Sequence, residues 1–132
     1  MKKPLEGIKV LELAGLAPAP FCGLVLSDFG AEVVRIDRKE TTTSTDTLCR
    51  GKRSICLDLK NKEGAQVLLE LLKKADVLID PFRPKVLEKL GLSPQICMQA
   101  NPRLIIARLT GYGQTGIPLK KPLFSFICIN YP

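Results

Sequence analysis

The residues best suited to chemistry are basic ones gathered in one stretch. Between residues 35 and 62 stand eight Lys or Arg against four Asp or Glu, so more than half of the chain's net charge of +7 falls in a short part of its 132 residues. Arg38 follows Asp37, Arg50, Lys52, Arg53 and Lys60 surround the apolar pattern that comes next, and Arg83 stands further on in Pro81-Phe82-Arg83-Pro84. Guanidinium and ammonium groups at this density suit phosphate oxygens, which they meet through charge-assisted hydrogen bonds. A solvated charged face is the alternative. Asp37 stands where an acid could hold a ribose, or where a strand simply ends in a solvated carboxylate. Gly111-Tyr-Gly-Gln-Thr-Gly116 reads as a ligand loop or a plain turn. The segment from Gly15 to Gly23 (GLAPAPFCG) lacks G-x-G-x-x-G, and Pro18 and Pro20 offer no N–H, which argues against a nicotinamide or flavin pyrophosphate cradle.

Other chemistries have no residues to carry them. Histidine is absent, and the five cysteines form no C-x-x-C pair, so no zinc ligand set is visible. An odd cysteine count with no secretory signal fits a reducing compartment, where each is expected to act as a small buried hydrophobe. Aromatics make up 5% of the chain and no reading module is present, so nucleic acid is not the expected partner. The longest apolar run, near residues 123–129, is far short of the roughly 18 residues of a membrane span. The amino end runs straight into a strand pattern, with no apolar h-region or Arg/Ser-rich presequence, so no cleavable leader is expected. Hydrophobic residues at 45% and charged residues at 25% allow an ordinary packed core.

The elements that must position these residues alternate in type. Strands are expected near residues 8–13, 33–37, 55–58, 76–79 and 104–109. Prolines 18 and 20 start a helix whose apolar positions Phe21, Leu24, Val25 and Phe29 recur at helical spacing, with Gly30 as its stop. A second helix over 62–74 carries Ala65, Leu68, Leu69 and Leu72 on one face. Pro84 opens a short helix ending at Gly91, and Ser93-Pro94 caps another that runs to about Ala100. The near-continuous apolar run Leu104 to Leu109 suits a strand covered on both faces. Strand and helix in alternation predict an α/β fold with a Rossmann-like, mostly parallel sheet covered by helices. The last 16 residues, with three prolines and a Lys pair, break the pattern and are expected as a divergent tail, 117–132, beside a folded part, 1–116.

Several blocks occur in a recognisable order: PLEGIKVLEL, GLAPAPFCGLVLSDFGAEVVRIDR, RGKRSICLDLK, ADVLIDPFRPKVLEKLGL and NPRLIIARLTGYGQTG. Together they resemble class III CoA transferases (the CaiB/BaiF family), and within it the racemases of 2-methylacyl-CoA thioesters. The resemblance implies an incomplete first domain that holds coenzyme A, with acyl-CoA as substrate and no separate cofactor. By position it implies that Ala17 and Pro18 meet the ligand with their backbone and that Arg38 sits at the nucleotide phosphates. Leu57, Asp58, Leu59 and Lys60 then run alongside the nucleotide, and Phe82, Arg83 and Lys89 complete the basic edge. Ala19 and Lys85 stand where the family has glycine.

The resemblance also implies what is missing. Family racemases use a His and an Asp as paired bases, in branched-chain fatty acid and bile acid intermediate metabolism, and related transferases use an Asp nucleophile. Phe124 stands at the His position, and both acids lie beyond residue 132. No catalytic residue is therefore assigned in this chain, which is expected to be inactive as a racemase and unable to form the family's interlocked homodimer. A non-catalytic CoA-binding fragment and a CoA transferase of the same family are the alternatives. Peroxisomes and mitochondria are the compartments the resemblance implies, with a cytoplasmic location for a shortened chain.

Overall fold

The computed structural model describes residues 2–38, 47–111 and 113–115. In chain order its elements are β1 (Lys9–Leu13), α1 (Pro18–Asp28), β2 (Glu32–Asp37), β3 (Arg53–Cys56), α2 (Lys62–Leu72), β4 (Val77–Asp80), α3 (Val86–Lys89), α4 (Pro94–Ala100) and β5 (Ile105–Arg108). The strands form one five-stranded sheet in the order β3-β2-β1-β4-β5, and every neighbouring pair is parallel. The expected helix-covered parallel sheet is thus what the chain builds. The tail 117–132, with Phe124 and Cys128, lies outside the described residues.

Local chemistry sets the helix ends. Pro18 suits the first helical position of α1, because its ring presets φ and the missing N–H has no intrahelical partner there. The Asn61 side chain accepts the Glu63 N–H ahead of α2, and Ser93 Oγ accepts the Ile96 N–H ahead of Pro94 in α4. Asn101 Nδ2 donates to the carbonyls of Leu72 (2.9 Å) and Ala75 (2.7 Å) and so ties the end of α4 to the end of α2 and the turn after it.

Alternation along the strands divides the core in two. Leu11, Leu13, Ile36 and Leu78 pack with Leu68 and Leu72 of α2 and with Leu87, Leu92, Cys97 and Leu104. Val10, Val33 and Ile79 meet Ala19 and Ala31 on the other side, where α1 lies. Each fully buried leucine contributes about 1.5–3 kcal/mol relative to an exposed one.

Four expectations change. The inward face of α1 is Ala19, Pro20, Gly23, Leu24 and Ser27, whereas Phe21 and Phe29 are 58% and 52% exposed and Val25 is also open. Small residues face in because the helix lies close to the sheet: a Cβ at Gly23 would overlap Glu12 Oε2. Strand β3 begins two residues early and ends at Cys56, because the Leu57 N–H closes the ladder on the Asp37 carbonyl (2.9 Å) and the chain then turns. Strand β5 is not covered on both faces: it lies at the sheet edge, and Ile105 is 63% exposed. Among the cysteines of the described residues, only Cys97 is buried; Cys22 is half-buried, and Cys49 in a loop and Cys56 on edge strand β3 are exposed.

Candidate functional site

A parallel sheet brings the carboxyl ends of all its strands to one edge, and in an open α/β sheet ligands bind there, where the strand order reverses. In the order β3-β2-β1-β4-β5 that reversal falls between β1 and β4. The two following turns touch at this point, since a Cβ on Gly15 would overlap the Pro81 ring. The ten residues singled out from the sequence occupy this edge or the helix next to it. Ala17 and Pro18 lie at the β1–α1 turn and Arg38 directly after β2. Leu57 to Lys60 fill the β3–α2 turn, Phe82 and Arg83 follow β4, and Lys89 ends α3.

Some of them are brought together. The Arg38 guanidinium lies over the Phe82 ring, 5.7 Å from its centroid, and so joins the ends of β2 and β4 across the sheet. Arg38, Lys60, Arg83 and Lys89 are all exposed at the surface. Asp58 Oδ1 accepts the Lys60 N–H (3.0 Å) and shapes the β3–α2 turn. A hollow of about 310 Å³ lined by Leu59, Lys60, Asn61, Leu90 and Gly91 joins that turn to the chain just past Lys89. Among the described residues no hydrogen bond links Ala17 or Pro18 to Arg83.

Arg50 and Arg53 of the same basic run are not on this edge. Arg53 starts β3 at the opposite edge, pairs with Glu32 (3.3 Å) and lines a separate hollow of about 220 Å³ with Lys9 and Lys74. Arg50 pairs with Asp28 (2.6 Å) at the far end of α1 and holds its carboxyl below the usual range. The reason is topological: a connection between parallel strands must carry the chain back to the amino edge before the next strand begins. Asp37 is neither a free ribose ligand nor a solvated acid, because its carboxylate pairs with Arg35 Nε (2.9 Å) in a largely buried contact.

Two buried ionic groups escaped sequence reasoning. Lys52 turns inward, its Nζ 2.6 Å from Glu12 Oε2 and 2.7 Å from the Pro20 carbonyl, and both charged side chains are almost fully buried. Burial pushes the Glu12 carboxyl up, and Lys52 opposes that shift. The signal in the sequence was one acid inside the apolar run VLEL. The second group is built on Asp80, a fully buried carboxylate at the end of β4. Its Oδ1 accepts the Phe82 N–H (2.9 Å) and its Oδ2 faces Arg108 Nε (3.0 Å). Arg108 also forks to both oxygens of Glu88 (2.8 and 3.3 Å).

The fold and the site define an α/β protein with basic side chains along the carboxyl edge of a parallel sheet, at its switch point. The chain belongs to CoA-transferase family III, whose pattern matches residues 5–126. It is 58% identical over 113 residues to alpha-methylacyl-CoA racemase of Mus musculus, which covers 86% of this chain and 29% of the racemase. The Homo sapiens racemase is 58% identical over 112 residues, 85% of this chain and 29% of that protein. The succinyl-CoA–L-malate CoA-transferase beta subunit of Chloroflexus aurantiacus is 42% identical, covering 94% and 34%. Among solved structures, Rv3272 of Mycobacterium tuberculosis superposes with a TM-score of 0.81 at 40% identity, covering 87% of this chain and 34% of that one. A CaiB/BaiF family protein of Brucella suis also gives 0.81, at 33% identity, covering 89% and 36%. A short-chain dehydrogenase/reductase family protein, at 18% identity and a TM-score of 0.59, shares the fold alone. This chain spans about a third of the length of its family relatives.

Proposed function

We propose that the carboxyl edge of this sheet binds the nucleotide end of an acyl-CoA thioester, and that the substrate class is the 2-methylacyl-CoA thioesters of the racemases. The observation that carries this is Arg38 seated over Phe82 at the meeting of two strand ends, with Lys60, Arg83 and Lys89 as further cations around it. Arg38→Ala should weaken coenzyme A binding by about 1–3 kcal/mol, the worth of a charge-assisted hydrogen bond. Calorimetric titration of both proteins with coenzyme A checks it, and equal affinity in a folded variant would count against the reading. A matching titration with an oligonucleotide across a salt series tests the other use of the basic charge.

Binding and turnover separate in this chain. Racemisation requires removal of a weakly acidic α-proton on one face and its return on the other, with the enolate oxygen stabilised between. The 132 residues contain no histidine to serve as one base, and a positioned base is typically worth about 10²–10⁴-fold. This favours a second reading, a CoA-binding unit without turnover of its own. Incubated with a 2-methylacyl-CoA in deuterated water, the chain should leave the α-proton unexchanged; incorporation above the uncatalysed rate would overturn that reading. Peroxisomes and mitochondria are the proposed compartments, testable by imaging of a tagged chain.

A further inference from the structure

We propose that Arg108 of β5, acting through Asp80, is a positioning residue for the turn that carries Phe82 and Arg83; the inference rests on the coenzyme reading of that edge. Arg108 lies directly across from Asp80 in the β4–β5 register, and the Leu109 N–H donates to the Asp80 carbonyl (2.9 Å), so backbone pairing fixes their separation. The Arg108 side chain then makes contacts of two kinds. Its Nε holds Asp80 Oδ2, while its terminal nitrogens hold Glu88 on α3. The remaining Asp80 oxygen takes the Phe82 N–H. One guanidinium therefore fastens both ends of segment 81–87, the Phe82 amide at its start and α3 at its end.

The arrangement is more than is needed for packing. Two carboxylates share one guanidinium, Asp80 is fully buried, and burial pushes its carboxyl above the ordinary value against the opposing pull of Phe82 N–H and Arg108. A pair of apolar side chains in the same space is often as stable or more so. What apolar residues lack is an acceptor for the Phe82 amide. With that amide fixed, the backbone that carries Phe82 beneath Arg38 and Arg83 out of the strand end is held in place. Pro81 seated against Gly15 restrains the same turn from the β1 side. Arg108 itself is largely buried and points into this network, so it acts on a ligand only through Asp80 and the turn.

The test uses the full 132-residue chain and three variants, Arg108→Gln, Arg38→Ala and the double variant, each checked for folding by far-UV circular dichroism. Two readouts are taken: coenzyme A affinity, and hydrogen exchange of the Phe82 amide by NMR in the absence of ligand. Arg108→Gln should raise the Kd for coenzyme A about tenfold, the scale of one supported charged hydrogen bond, and speed Phe82 exchange. In the Arg38→Ala background the same change should raise Kd less than threefold, because the effect travels partly through the residue already removed; purely structural loss would add in full. Arg108→Lys, which can keep the contact to Asp80 but has no fork for Glu88, should recover part of the affinity. If Arg38→Ala weakens binding while Arg108→Gln binds as tightly as the parent, the inference fails and the coenzyme reading stands. Unaltered Phe82 exchange in Arg108→Gln also overturns it. If the parent chain does not bind coenzyme A, or Arg38→Ala changes nothing, the coenzyme reading fails and the positioning role goes with it.

Discussion

Replacing Lys52 by Met removes the cation facing Glu12 while filling nearly the same space. In the native chain Nζ lies 2.6 Å from Glu12 Oε2, the two side chains are 2% and 0% exposed, and Glu12 Oε1 has no hydrogen-bond partner. Without Lys52 the buried carboxylate loses its ion pair and keeps only the weaker pull of Arg35, and breaking such a pair typically costs about 3–5 kcal/mol. Against a usual domain stability of about 5–15 kcal/mol, that is enough to approach unfolding. The cost depends on pH with a definite sign. Burial already holds the folded carboxyl above its ordinary value of 4.5, and losing Lys52 moves it higher. A raised folded value means that the folded state binds the proton more tightly than the unfolded chain. The deficit therefore opens only above the parent's own raised value and grows with pH towards the variant's still higher one, by about 1.4 kcal/mol per unit between the two. Urea unfolding followed by far-UV circular dichroism at pH 5 and pH 7 measures it. The double variant Glu12→Leu with Lys52→Met should recover to within about 1 kcal/mol of the parent, since an apolar pair can replace a buried ionic one. A single-variant deficit that is small and flat with pH, or a double variant as weak as the single, would refute the reasoning.

Two further outcomes are expected. Lys85 adopts φ 68°, a left-handed conformation that costs an L-residue about 1–2 kcal/mol, so Lys85→Gly should raise stability by up to about 1 kcal/mol after its greater unfolded entropy is counted. A higher midpoint in thermal unfolding supports this, and a lower one shows that the lysine side chain holds the turn. Cysteine reactivity at pH 8 should follow exposure: Cys49 and Cys56 are modified first, whereas Cys97, buried and with its thiol pushed up to about 11, is protected until the chain unfolds. Peptide mapping after timed labelling decides it, and Cys97 reacting as fast as Cys56 would contradict the packing of α4.

Much of this protein was legible in the order of its residues, because the relevant forces are local. Alternation of short apolar runs with helical periodicity announced a parallel sheet, and Ser93-Pro94, Pro18 and the glycines after the helices marked element ends within a few residues. Arg38, Lys60 and Arg83 could be assigned to one edge because each follows a strand, and parallel strands all end on the same side. Tertiary structure alone decided which charges remain free for a ligand. Lys52 and Arg53 are neighbours in the same basic run, yet one is buried against Glu12 and the other faces solvent at the opposite edge. Periodicity could not reveal that α1 turns its phenylalanines outward, since the face that packs is chosen by how closely the helix can approach the sheet, and here Gly23 sets that distance over a buried carboxylate. Nor could it pair Asp80 with Arg108, 28 residues apart, because that partnership exists only once β4 and β5 lie side by side. Sequence determined the elements and the edge through short-range preferences; the fold decided the use of each ionisable group, because burial and partnership depend on residues that meet only across the sheet.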